Sequence, residues 1–180
     1  MTMYMIEINP MDLVLRPFLQ WDKQWFALTA GDYSSRRFNA MTVSWGSLGT
    51  MWNRPFVQVV VRPVRYTYSF TEEFDSFTLC AFSEKYRKAL NILGAKSGRN
   101  GDKIAQAGLT LVPSVHISAP AFAEAELILE CRKIYWDDFD PKRFVDPGID
   151  SNYPNKDYHR IYFGHILRIS GEEKYLAGKD

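Results

Sequence analysis

Three short segments gather the side chains best suited to hold a ligand. The first is Asn39-Ala40-Met41-Thr42-Val43-Ser44-Trp45-Gly46. In an extended strand, Asn39, Met41, Val43 and Trp45 share one face, and Thr42 and Ser44 share the other. Such a segment is either an ordinary strand with outward hydroxyls or an edge where backbone amides and a tryptophan meet a planar ligand. The second segment is Arg62-Pro63-Val64-Arg65-Tyr66-Thr67. Two cations, a hydroxyl and free N–H groups at a helix start suit an anion. Pro63 removes one donor and sets the turn. A solvated arginine pair at a strand end is the alternative. The third segment, Lys96-Ser97-Gly98-Arg99-Asn100-Gly101-Asp102-Lys103, has three cations, a serine and two glycines. Glycine lets backbone approach a ligand closely, although the same composition also describes a surface loop. Together, the strand, the arginine turn and the glycine-lysine loop could hold a phosphate-bearing aromatic ligand.

Other chemistries lack their signatures. No GxGxxG follows a strand, and GxxxxGK[ST], GxSxG and HExxH are absent. The histidines are His116, His159 and His165. On one strand, His159 and His165 would share a face yet lie about 20 Å apart at ~3.3 Å per residue, too far to chelate one metal. No metal site is expected. Cys80 and Cys131 are the only cysteines, without a CxxC or zinc pattern, and read as buried thiols.

The elements that must position these segments are mostly strands. Strand-like runs cover Trp25 to Thr29, Met41 to Trp45, Phe56 to Arg62, Phe77 to Phe82, Ala123 to Tyr135 and Arg160 to Ile169. Gly46-Ser47-Leu48-Gly49 reads as a turn. Tyr86, Ala89, Leu90 and Leu93 fall on one face of a short helix that ends near Gly94. A second helix is expected from Asp102 to Ala107, with Gly108 as a left-handed stop. A third runs from Tyr66 to Phe74, although Glu72-Glu73 late in it opposes the helix dipole. Strands that outnumber helices without alternating with them indicate an antiparallel barrel with helices packed outside.

The chain has 180 residues, one domain's worth, and residues 1–180 read as a single domain. Its 22 Lys plus Arg against 21 Asp plus Glu argue against a nucleic-acid footprint or an anionic membrane surface. No apolar run approaches the roughly 20 residues of a bilayer span. Residues 1–10 do not read as a signal peptide, so a cytoplasmic protein is expected. The 15% aromatic content suits a β-rich core or a flat ligand.

At the three segments the chain resembles the flavin reductase-like family, in particular flavoredoxin-type proteins of the FMN-binding split-barrel fold. The matching stretches are NAMTVSWGSLGTMWNRP (Asn39 to Pro55), RPVRYTYSF (Arg62 to Phe70) and GAKSGRNGDKIAQAGL (Gly94 to Leu109). A weaker fourth is His159-Arg160-Ile161-Tyr162-Phe163-Gly164-His165-Ile166. The resemblance implies a mainly β fold, a six-stranded antiparallel Greek-key split barrel with a few peripheral helices, forming a homodimer. It implies FMN as cofactor, near the dimer interface. Asn39, Met41, Thr42 and Trp45 would then flank the flavin ring or ribityl chain, with Ser44 on the same strand. Arg62, Arg65, Tyr66 and Thr67 would reach the phosphate side, and Ser97 and Lys103 would complete the site. Thr67 and Lys103 are the leading phosphate ligands, and Trp45 and Asn39 the leading ring contacts. No side chain is assigned as catalytic, because the flavin carries the chemistry. His159 is carried as a nicotinamide-side contact. His165 stands where the family pattern has glutamate, which leaves the electron donor, NADH or NADPH, open.

Three functions follow from this reading. The first is an NAD(P)H-dependent flavin oxidoreductase that would pass electrons to an acceptor, to a redox protein or to a monooxygenase partner. The second is a flavoredoxin-like electron carrier with tightly held FMN. The third is a flavin-free, ligand-sensing barrel.

Overall fold

Alternation in Phe56-Val57-Gln58-Val59-Val60-Val61 sends Val57, Val59 and Val61 to one side, and these three line the interior of the fold. The computed structural model describes residues 4–178. Residues 1–3 and 179–180, which the signal-peptide and single-domain expectations include, lie outside the described residues. The strands are β1 (Ile6–Glu7), β2 (Phe26–Asp32), β3 (Arg37–Val43), β4 (Gly46–Met51) and β5 (Arg54–Val61), followed by β6 (Ser76–Ala81), β7 (Leu111–Val112), β8 (Ala121–Phe122), β9 (Leu127–Asp138) and β10 (Arg160–Gly171). Helices are α1 (Pro17–Leu19), α2 (Tyr66–Glu73), α3 (Arg87–Ala95) and α4 (Lys103–Ala107). One antiparallel sheet runs β3-β2-β6-β9-β10-β5-β4, with β1 added to β10. The sheet curls until Met41 and Val43 of β3 share a core with Val57, Val59 and Val61 of β5.

The six expected strands correspond to β2, β3, β5, β6, β9 and β10. The strand count is corrected to eight in this sheet, with β7 and β8 forming a separate two-stranded ribbon. The expected turn at Gly46 to Gly49 is also corrected, because it forms most of β4, paired with β5. The reversal falls instead at Trp52-Asn53, both at positive φ (52° and 57°) between the paired Met51 and Arg54. Two left-handed residues make the tight turn that matches strand twist. Tryptophan rarely adopts that conformation, so local chemistry pointed elsewhere.

The helices cover the outside and the ends of the sheet. Ala89, Leu90 and Leu93 of α3, with Tyr86, pack in a second core beside Ala27 and Ala40. In α4, Asp102 Oδ1 accepts from the amides of Ile104 and Ala105, and Gly108 closes the helix at φ 66°. The acidic end of α2 is compensated from elsewhere. Glu73 pairs with Arg37, Glu72 pairs with Arg160, and Lys133 Nζ reaches the Thr71 carbonyl. Between β9 and β10, residues 139–159 form an excursion with two 3-10 turns (Pro141–Arg143 and Pro147–Asn152).

Candidate functional site

The end of β3, the turn after β5 and helix α3 enclose a cleft of about 380 Å3. Met41, Thr42, Ser44, Arg62, Arg65 and His159 form part of its wall. A side chamber of about 230 Å3 shares Met41, Thr42, Ser44, Arg62 and His159 with the cleft and adds Trp45. In the other direction, Arg65 and Ala95 also border a pocket of about 170 Å3. Tyr66, Thr67, Ser97 and Lys103 line that pocket too, with Val64 and Lys96. The three segments singled out in the sequence therefore converge on one row of chambers.

Two of the expected site residues have neighbours beyond those the sequence suggested. Asn39 was placed with Trp45, but Asn39 lies inside β3 and Trp45 two residues beyond its end, six positions along the chain or up to about 20 Å at ~3.3 Å per residue. Asn39 is buried and donates through Nδ2 to Thr67 Oγ1 at 2.7 Å. It borders a polar recess beside Gly98, Tyr66 and Lys103, away from Trp45. Arg62 was placed on the phosphate side. It lines the main cleft with Arg65 and also the side chamber with His159, where Asp157 holds its Nη1 at 3.2 Å and Asn152 O accepts from its Nη2 at 2.8 Å.

The pocket end is built from buried polar groups. Thr67 is almost fully buried beneath Asn39. Lys103 Nζ donates to Leu93 O at 2.8 Å and Lys96 O at 3.0 Å, capping α3 from the side. Burial, with Arg65 nearby, brings the Lys103 pKa down to about 8. Arg65 donates to Gly94 O, and burial followed by Arg62 lowers its pKa. Arg65 is also the N-terminal flank of α2 and provides no side-chain cap; Tyr68 N donates to Arg65 O at 3.0 Å, which leaves the N–H groups of Tyr66 and Thr67 as the open ones of the first turn. Ser97 Oγ accepts from Arg99 N at 3.3 Å. The Arg99 guanidinium lies 4.8 Å over the Tyr66 ring. Gly98 is favoured here by space, since a Cβ would stand 2.2 Å from Asn39 Oδ1 and force that side chain to shift.

At the other end, the half-exposed Trp45 ring lies 5.3 Å from the His159 imidazole, tilted by 51°. His159 Nδ1 is 2.8 Å from Tyr153 Oη. Burial, with Arg62 adding repulsion, pushes the His159 pKa down to about 4. Between the ends, Thr42 Oγ1 donates to Leu90 O at 2.5 Å, and Met41 projects into the barrel core. His165 does not line the cleft. It lies on the sheet opposite Phe56 and Arg132.

Sequence reasoning missed several walls. Trp25, Leu90 and Asn91 line the cleft. No motif marks Tyr153, which reaches the site only through its contact with His159. Among the described residues, no group of three or more His, Cys, Asp or Glu could hold a metal ion. No helix among them is long and apolar enough to cross a membrane.

The model of the flavin reductase like domain matches residues 25–175. An uncharacterized protein of Pyrococcus abyssi is 26% identical over 143 residues, covering 78% of this chain and 70% of its own. The flavoredoxin of Desulfovibrio vulgaris (Miyazaki F) superposes with a TM-score of 0.64 at 26% identity, covering 83% of this chain and 70% of its own. An FMN-binding domain of a flavin reductase-like enzyme from Shewanella baltica OS155 reaches 0.69 at 14% identity, over 96% of this chain and 79% of its own. At that identity the second likeness speaks for the split-barrel fold alone.

Proposed function

The chain belongs to the flavin reductase-like family, and on that premise we propose that it is an FMN-binding flavoprotein and an NAD(P)H-dependent flavin oxidoreductase. The single observation that carries this reading is the row of chambers with an aromatic-imidazole end and a cationic end. The donor set fits the cofactor. An ammonium, a guanidinium, a serine hydroxyl and open helix amides suit a phosphate monoester. A bound flavin supplies acceptance of hydride from NADH or NADPH and delivery of electrons to an acceptor.

The protein's own residues bind and orient. Arg65, Ser97 and Lys103 would hold the phosphate, with Tyr66 and Thr67 forming the wall behind it. Met41, Thr42 and Ser44 would line the middle. Trp45 and His159 would flank the ring. His159, with its lowered pKa, is neutral at physiological pH and places no positive charge there. The ring end is open beside the exposed Trp45, which supports a homodimer in which a second copy closes it. A redox protein or a monooxygenase is the class of partner that would take the electrons. Cys80 and Cys131 are buried free thiols, in keeping with a reducing cytoplasm. Likeness to a flavoredoxin favours a second reading, a carrier that keeps FMN and exchanges electrons only with proteins.

The experiment is to desalt the FMN-loaded protein and mix it anaerobically with NADH or NADPH, following flavin bleaching at ~450 nm. Bleaching supports the oxidoreductase. Retained yellow protein without bleaching supports the carrier. No fluorescence quenching and no rise in melting temperature at saturating FMN would overturn the site itself.

A further inference from the structure

The excursion between β9 and β10 brings one buried tyrosine against His159, which lines the cleft. Tyr153 is almost fully buried, with its ring stacked on Phe144 at 6.1 Å and 16°. The Arg62 guanidinium lies over that ring, 5.0 Å from its centroid. Asp157, from the same excursion, holds Arg62 in place. The tyrosine is thus clamped with its hydroxyl 2.8 Å from His159 Nδ1.

The direction of this hydrogen bond follows from proton counting. A neutral phenol has one proton to place, and a buried donor needs an acceptor. Among the described residues, His159 Nδ1 is the only hydrogen-bond partner of Tyr153 Oη. If Nδ1 carried the proton, the buried phenol proton would have no hydrogen-bond acceptor among the described residues. Tyr153 therefore donates, Nδ1 accepts, and the imidazole proton sits on Nε2. His159 lines the cleft and its side chamber, and no protein group among the described residues is hydrogen-bonded to its Nε2.

We propose that Tyr153 is a positioning residue that fixes His159 as the neutral Nε2–H tautomer, presenting a hydrogen-bond donor to an uncharged carbonyl oxygen of the cleft ligand. The carboxamide of a nicotinamide has that chemistry. This ligand rests on the oxidoreductase reading, whereas the tautomer does not. The charged and titratable groups around His159 act in the same direction or are offset. Arg62 at the end of β5 disfavours a second proton, Asp157 favours one, and the Tyr153 proton blocks Nδ1. Trp45 and Phe139 supply uncharged rings on the remaining sides.

The test is nitrogen NMR of the histidine rings in flavin-free protein, with His159→Gln to assign the signal and Tyr153→Phe as the perturbation. The phenyl ring keeps the packing on Phe144 and Arg62, and matched melting curves check the fold. The expected result in the native chain is Nε2–H with a titration midpoint well below the ordinary histidine value. Tyr153→Phe should release the tautomer into a mixture and raise the midpoint by about one pH unit, the scale of one neutral hydrogen bond. In FMN-loaded protein, the same variant should raise KM for NAD(P)H about twofold, the factor lost when about half of the imidazole carries its proton on Nε2, with FMN affinity unchanged. A native Nδ1–H tautomer, or an unchanged tautomer and midpoint in Tyr153→Phe, overturns the positioning role. A released tautomer with unchanged KM overturns the carbonyl contact. Absence of any flavin bleaching refutes the oxidoreductase reading, and the NMR result stands apart from it.

Discussion

Lys103 gives phosphate binding a pH dependence whose size follows from its surroundings. Its ammonium is buried against Leu93 O and Lys96 O, with a pKa down at about 8 from the ordinary 10.5. In the ligand-free protein the proton therefore leaves as pH rises past about 8. A phosphate dianion in the adjoining pocket favours the charged form and raises the pKa back toward ~10.5. FMN binding must then take up a proton above pH 8, and affinity must fall as pH rises. With a complexed pKa of ~10.5, the protonated fractions give about a tenfold loss of affinity between pH 7 and pH 9, or about 1.4 kcal/mol. The phosphate adds no slope of its own, since its second ionisation at ~6 is already complete. Quenching of flavin fluorescence, titrated in parallel with FMN and riboflavin, measures this directly. FMN affinity should fall about tenfold over that range while riboflavin stays level, and Lys103→Met should abolish the difference. A level FMN profile, or an equal slope for riboflavin or for the Lys103→Met protein, refutes the placement of the phosphate beside Lys103.

Two further outcomes follow from the same geometry. Gly98→Ala places a Cβ 2.2 Å from Asn39 Oδ1 and 3.0 Å from Tyr66 Cδ1. Asn39 cannot retreat without loosening its bond to Thr67, so overpacking should cost about 1–3 kcal/mol and lower the melting temperature by roughly 2–10 °C. An unchanged melting curve contradicts this. His159 binds its proton less tightly in the folded chain than in the unfolded one, with a pKa of about 4 against 6.5. Stability should therefore be full above pH 6.5 and decline as pH falls from 6.5 toward 4. Urea unfolding of His159→Gln across that window should show a shallower decline than the native chain.

Much of the fold was legible because its signals are periodic. The alternation in Phe56 to Val61 and the helical spacing of Tyr86, Ala89, Leu90 and Leu93 each mark a buried face. Asp102 and Gly108 bracket α4 through local chemistry alone. The β4 hairpin was not legible, because its reversal uses Trp52 in a left-handed conformation that the sheet imposes. The dipole conflict in α2 was also misleading, since its compensation comes from Arg37, Lys133 and Arg160 on other strands.

The sequence by itself determined the inventory of the site. The strand, the arginine turn and the glycine-lysine loop contain the groups that line the three chambers, and their types already suit a phosphate-bearing aromatic ligand. The tertiary structure decided which end each group serves. Asn39 is bonded to Thr67 rather than placed beside Trp45, and a carboxylate distant in sequence, Asp157, holds Arg62 near His159. It also brought Tyr153 to His159, a contact whose partners are six residues apart within a loop that carries no periodic signal. Such contacts depend on how the whole excursion packs onto the sheet, and spacing along the chain carries no trace of that.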